Sequence, residues 1–129
     1  MTPEARAVVD TLGRALVRLR SAMEQPKTEW TRDSAIQRFE FTFELAWKAV
    51  ARVAREEGIE CPSPRTAFRT ALKLGWITDD ENWLTMLDDR NRASHTYNEA
   101  TAEDLYSRLR AHLAALTGLH ARLTEVAGL

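Results

Sequence analysis

The sequence predicts an all-α protein, an up-and-down bundle of four to five helices. Three observations carry that expectation. Apolar residues recur at a 3.6-residue period over long segments. Helix-starting and helix-ending residues bracket those segments. The alternating pattern of a half-buried strand occurs once and is not sustained.

The first helix is expected over residues 4 to 24, where Val8, Leu12, Ala15, Leu16, Leu19 and Met23 fall on one stripe and Pro26 stops the chain. The second runs from Thr31 to Glu57 and ends at Gly58, a residue suited to a helix C-terminus. Its segment Phe39 to Leu45 alternates apolar and polar, yet Ala46 to Arg52 follow without a turn signal, so helix is the better reading. At 100° per residue Ile36, Phe39, Phe43, Trp47, Val50 and Val53 share a face, while Phe41 and Leu45 lie nearly opposite. A helix apolar on two sides needs two partners, and the second can be another copy of the chain.

Ser63 as N-cap with Pro64 at the first position opens a third helix, which carries Ala67, Phe68, Ala71 and Leu72 and ends near Gly75. Thr78-Asp79-Asp80-Glu81 has capping-box spacing and starts a fourth, through Trp83, Leu84 and Leu87 into Arg90–His95. A fifth is expected from Thr101, with Leu105, Leu109, Leu116, Leu119 and Leu123 on one stripe. His112 and His120 fall on or beside that stripe and read as core-edge residues. Trp30, Trp47, Trp76 and Trp83 read as core or interface anchors rather than a base-stacking platform.

The 129 residues suit a single domain, 1–129, with no linker, repeat or low-complexity run. The start of the chain lacks the pattern of a signal peptide and no apolar run reaches membrane-spanning length, so a soluble cytoplasmic protein is expected. One cysteine, Cys61, excludes an internal disulfide and a Cys-rich zinc site. Eighteen basic against nineteen acidic residues give a net charge of −1, which excludes a broadly electrostatic nucleic-acid binder. Fifteen of the eighteen basic residues are Arg, a bias that suits bidentate phosphate or carboxylate contacts and equally suits a GC-rich genome.

The chemistry-bearing stretch is Arg90-Asn91-Arg92-Ala93-Ser94-His95-Thr96-Tyr97. Arg is permanently charged and grips phosphate with two N–H groups. His exchanges protons near neutral pH. Together they suffice to hold and cleave a phosphodiester without a metal, although the Arg-to-His spacing alone has little specificity in so Arg-rich a chain. On a helix Asn91 stacks with His95, whereas Arg90 and His95 lie about 140° apart. Serving one phosphate therefore requires that Arg90 reaches round, that the helix frays near His95, or that two chains combine residues. The bland readings are solvated Arg90 and Arg92 paired with Asp88, Asp89 or Glu99, His95 as a helix-end residue, and Tyr97 as a packing aromatic. No phosphate-loop, dinucleotide, zinc-protease or hydrolase-elbow motif is present, so no cofactor and no metal are expected. Glu40 and Glu44 could imitate a carboxylate pair, but they lack histidine ligands nearby and are expected to pair with Arg or with Lys48.

Arg90-Asn91-x-x-x-His95-x-Tyr97, following the segment Arg32-Asp33-Ser34-Ala35-Ile36-Gln37-Arg38-Phe39-Glu40-Phe41-Thr42-Phe43-Glu44-Leu45-Ala46-Trp47-Lys48, resembles the HEPN superfamily. More closely it is similar to the small nucleotidyltransferase substrate-binding proteins, or HepT-like toxins, over nearly the whole chain. The resemblance implies a HEPN-type bundle that forms a homodimer with facing motif helices, and a minimal nucleotidyltransferase as partner. For toxin members it implies metal-independent RNA cleavage. Arg90 would then bind phosphate, His95 act as general acid or base, Asn91 orient, and Tyr97 be the residue nucleotidylated by the partner. Other members of the same family serve as non-catalytic substrate-binding subunits, and the motif does not separate the two roles.

Overall fold

The computed structural model describes residues 1–78, 80–95 and 98–128, with the backbone alone of Asp80. Five α-helices follow one another: α1 (Pro3–Glu24), α2 (Glu29–Glu56), α3 (Pro64–Lys73), α4 (Asp80–Arg92) and α5 (Glu99–Ala127), with a 3₁₀ turn Ala93–His95 after α4. No strand occurs among the described residues. The all-helical expectation holds, including the Phe39–Leu45 segment.

Two helices start earlier than the sequence suggests. α2 is capped by Thr28, whose Oγ1 accepts the Thr31 N–H at 3.1 Å while Thr31 Oγ1 accepts the Thr28 N–H at 2.8 Å. Thr31 thus completes a capping box instead of beginning the helix. α5 is capped by Asn98, whose Oδ1 accepts from Thr101 N–H at 3.2 Å, so Thr101 lies one turn inside. Ser63 and Pro64 open α3 as expected, with Thr66 closing a second capping box. The proposed cap of α4 includes Asp79, which lies outside the described residues. Gly58 and Gly75 take φ of +80° and +75°, the left-handed conformation that ends a helix cheaply only with glycine.

Long-range bonds set the directions. Thr2 N–H donates to Glu56 Oε1 at 3.0 Å, so α1 and α2 are antiparallel. Arg32 Nη1 donates to Glu99 Oε2 at 2.7 Å and to Glu103 Oε1 at 3.0 Å, joining the starts of α2 and α5 and making them parallel. The return between α2 and α5 is carried jointly by the short helices α3 and α4. Arg32 is buried, and its bonds to Glu99, Asp33 and Glu103 raise its pKa above the ordinary value. The same contacts hold Glu99 below the usual carboxylate range, through Arg32, and Glu103, through Lys27 and Arg32.

The core joins Val9, Leu12, Leu16 and Leu19 of α1 to Ile36, Phe39, Phe43 and Val50 of α2 and to the leucine stripe of α5. Each fully buried Phe or Leu contributes roughly 1.5–3 kcal/mol by leaving water. His112 belongs to this core and not to its edge: it is 1% exposed and stacks on Phe39 with ring centroids 5.3 Å apart. His120 is half-buried where α1 and α5 approach closely, and a Cβ on Gly13 would stand 2.7 Å from its Nε2. Trp76 and Trp83 are buried as anchors, whereas Trp30 is 83% exposed and lies outside the core. Phe41 is 55% exposed, as its position away from the stripe suggests, and Leu45 is half-buried. No described helix is long and apolar enough to cross a membrane.

Candidate functional site

The end of α4 gathers the motif. Two basic residues, Arg90 and Arg92, fall in its last turn, where they complement the helix dipole. α4 ends at Arg92, and Ala93–His95 tighten into the 3₁₀ turn. His95 therefore lies outside the α-helical register that would stack it on Asn91, and it is exposed. The Asn98 N–H donates to the His95 carbonyl at 3.2 Å, closing the connection to α5. Tyr97, the expected modification target, lies outside the described residues.

Arg90 is half-buried and held from three sides. Its Nη2 is ion-paired with Glu44 Oε1 on α2, its Nη1 donates to Asn91 Oδ1 at 3.0 Å, and its guanidinium lies 5.5 Å from the centre of the Phe43 ring. Glu44 is itself fixed, since the Trp47 indole N–H donates to its Oε2 at 3.1 Å. The expectation that Glu44 pairs with a basic residue is met by Arg90. The bland pairing of Arg90 with Asp88, Asp89 or Glu99 is not what the fold adopts. A guanidinium has five N–H groups in a planar fork, and those not committed to Glu44 and Asn91 remain to meet an anion. The motif thus brings Arg90 and Asn91 into contact, while His95 follows on a separate turn.

Arg92 has a different role. Its Nη2 donates to Asp104 Oδ2 at 3.1 Å on α5, and its Nη1 lies 3.6 Å from Asp89. Asp89 is 1% exposed and forms the centre of a network behind the motif. It accepts Arg108 Nε and Nη2 at 2.8 and 2.6 Å and contacts His112 Nε2 at 2.7 Å. Burial raises its carboxyl pKa, but the hydrogen bonds from Arg108 and His112 lower it further, to about 2. The carboxylate accepts only, so His112 Nε2 is the donor. Asp104 is held below the usual carboxylate range by Arg108 and Arg92, and Arg108 is raised by Asp89 and Asp104.

Arg108 and His112 escaped the sequence reading as members of this network because they lie 19 and 23 residues from Asp89. Their four-residue spacing on α5 was the one available signal. Among the described residues no group of three or more His, Cys, Asp or Glu side chains is placed to hold a metal ion.

The chain and its fold have known relatives. Residues 8–125 match the family described as nucleotidyltransferase substrate binding protein like. The chain is 34% identical over 80 residues to the probable ribonuclease HepT of Haemophilus influenzae, a match over 58% of this chain that spans only 55% of that protein's length. A crystal structure of a Thermus thermophilus protein is similar at 39% identity with a TM-score of 0.81, covering 87% of this chain and 98% of the other. A Haemophilus influenzae structure, described as revealing the fold of a substrate binding domain of a nucleotidyltransferase, aligns at 27% identity and a TM-score of 0.69 over 92% of this chain and 96% of that one. The chain belongs to the nucleotidyltransferase substrate binding protein like family, among the HepT-like proteins of the HEPN superfamily.

Proposed function

We propose that this chain is a HepT-like toxin, a metal-independent RNA endonuclease that acts as a homodimer and is restrained by a minimal nucleotidyltransferase. The observation that carries the reading is the aimed guanidinium of Arg90, braced by Glu44, Asn91 and Phe43 in the same helix end that leads to exposed His95. A preorganised donor fork and a proton-exchanging ring at one helix end supply the two things phosphodiester cleavage needs, charge stabilisation and proton transfer. The ribose 2′-hydroxyl attacks the adjacent phosphorus and the 5′-oxygen of the next nucleotide leaves. His95 moves the proton, Arg90 stabilises the non-bridging oxygens, and Asn91 orients Arg90. The products are a 2′,3′-cyclic phosphate and a 5′-hydroxyl end.

Two chains together answer the angular problem. Arg90 turns toward α2 while His95 sits beyond the end of α4, so one protomer's Arg90 and its partner's His95 can flank one phosphate. The exposed Phe41 and Trp30 on α2 supply apolar surface for such pairing. The family match and the Haemophilus influenzae relative support a transferase as partner. In this reading Tyr97, two residues beyond His95, is where that partner attaches a nucleotide.

A second reading is a subunit without activity of its own that helps a transferase hold its substrate. It is favoured by the structural relative described as a substrate binding domain. Incubating the purified chain with single-stranded RNA in EDTA and analysing the end groups separates the two. Cyclic phosphate ends are expected. Intact RNA, together with stimulation of the transferase by the chain, would favour the second reading.

A further inference from the structure

We propose that the groove between α3 and α4 is the track along which single-stranded RNA runs into the motif, its phosphates held by Arg65 and Arg69. This rests on the endonuclease reading and adds a binding site to it. The groove has a volume of about 160 Å³, with Arg65, Phe68 and Arg69 on its α3 side and Trp83, Leu84 and Leu87 on its α4 side.

Arg65 and Arg69 are four apart on α3, hence stacked on one edge about 6 Å apart along the axis. Both are exposed, and neither side chain takes part in a hydrogen bond or ion pair among the described residues. Arg92 and Arg108, by contrast, are neutralised by Asp89 and Asp104. The opposite wall is apolar: Leu84 is 46% exposed and Leu87 is the next residue along the same stripe of α4. Asn91 continues that stripe seven residues after Leu84, so the groove points at the motif end of the helix. Asp88, on the same side of α4, does not line it.

Through the core, the floor is tied to the same helix end. Phe68 lies 4.6 Å from Trp83 and 5.4 Å from Phe43, ring centre to ring centre, and Phe43 carries the Arg90 guanidinium. Two aromatic rings separate the groove from Arg90. One cationic edge and one apolar edge suit a single strand, whose backbone contacts the arginines while an unpaired base rests on the exposed Leu84. A duplex hides its base faces and would leave the apolar wall unused. The stripe from Leu84 to the exposed Asn91, which ends at the motif, favours substrate over an acidic protein segment.

The test is fluorescence anisotropy with a short labelled single-stranded RNA across a salt series in EDTA, paired with steady-state cleavage. For single strands each phosphate contact contributes about 0.7 to the slope of log K against log salt, so Arg65→Ala/Arg69→Ala should flatten the slope by about 1.4. KM should rise with kcat unchanged, and the melting temperature should hold. Arg18→Ala/Arg38→Ala, which removes equal charge from the α1–α2 face, should leave the slope alone. Equal slopes for wild type and the α3 double variant, in a chain that still cuts RNA, would overturn the groove and spare the endonuclease reading. A wild-type chain that neither binds nor cuts RNA would overturn both. Loss of transferase binding with RNA binding intact would assign the groove to a protein partner, against this proposal.

Discussion

Asp89 Oδ2 lies 2.7 Å from His112 Nε2, a contact across α4 and α5 in which each side chain is 1% exposed. Arg108 grips the same carboxylate with two N–H groups. This joint fixes the last turn of α4, and with it Arg90 and Asn91, to the longest helix of the bundle. Removing the Asp89 carboxylate leaves the buried His112 Nε2 without its partner, while Arg108 and Arg92 keep Asp104. Asp89→Ala should destabilise the fold by about 1–3 kcal/mol, read by urea denaturation. A cost below about 1 kcal/mol would show that the network contributes little.

The same group sets an acid limit. The Asp89 carboxyl is lowered in the folded chain from the ordinary 3.8 to about 2. A depressed acid contributes stability that is complete above the unfolded-state value and is lost as pH falls through the folded-state value. The loss therefore falls between pH 3.8 and about 2 and amounts to about 2 kcal/mol. Glu99, Glu103 and Asp104 are shifted in the same direction. Denaturation midpoints measured down this range should fall less steeply in Asp89→Asn than in the wild type. Parallel curves would contradict the assignment.

Much of this could be read from the sequence, and the failures have physical causes. The helices were legible because their buried stripes repeat at 3.6 residues. Two starts fall two residues earlier than expected because Thr31 and Thr101 are themselves good caps, and only the backbone shows that Thr28 and Asn98 precede them. Arg90, Asn91 and His95 were legible as a motif. The partners of Arg90 and Asp89 were not, since Glu44, Arg108 and His112 are distant in sequence and no local pattern pairs them. Trp30 shows where the sequence leaves two readings open: a tryptophan there suits core or interface, and its position in the first turn of α2 takes it out of the core.

The proposed dimer is predicted from the exposed face of α2. Phe41 at 55% and Trp30 at 83% exposure are large apolar side chains with little cover in the protomer. Light scattering at micromolar concentration should give a dimer, and Phe41→Glu should weaken it. A wild-type monomer would remove the composite-site argument, and a fully dimeric variant would place the interface elsewhere.

The proposed control by a transferase predicts a single modified residue. With the transferase and ATP, peptide fragmentation should locate the added mass on Tyr97, and Tyr97→Phe should cut RNA while escaping suppression. A nucleotide there would bring its phosphate to Arg90 through charge-assisted hydrogen bonds and block the substrate. Tyr106 is the competing tyrosine, half-buried on α5 with Lys27 Nζ 5.2 Å from its ring centre. Modification at Tyr106, or suppression without any modification, would replace this account with inhibition by binding.

The most direct test of the account is the single-turnover RNA cleavage rate of the wild type beside that of His95→Ala, in EDTA, with melting temperatures measured on the same samples. General acid–base assistance contributes about 10²–10⁴-fold, so the variant should lose activity on that scale while melting where the wild type does, since an exposed side chain in a 3₁₀ turn adds little to the core. Undiminished cleavage by His95→Ala would contradict the assignment.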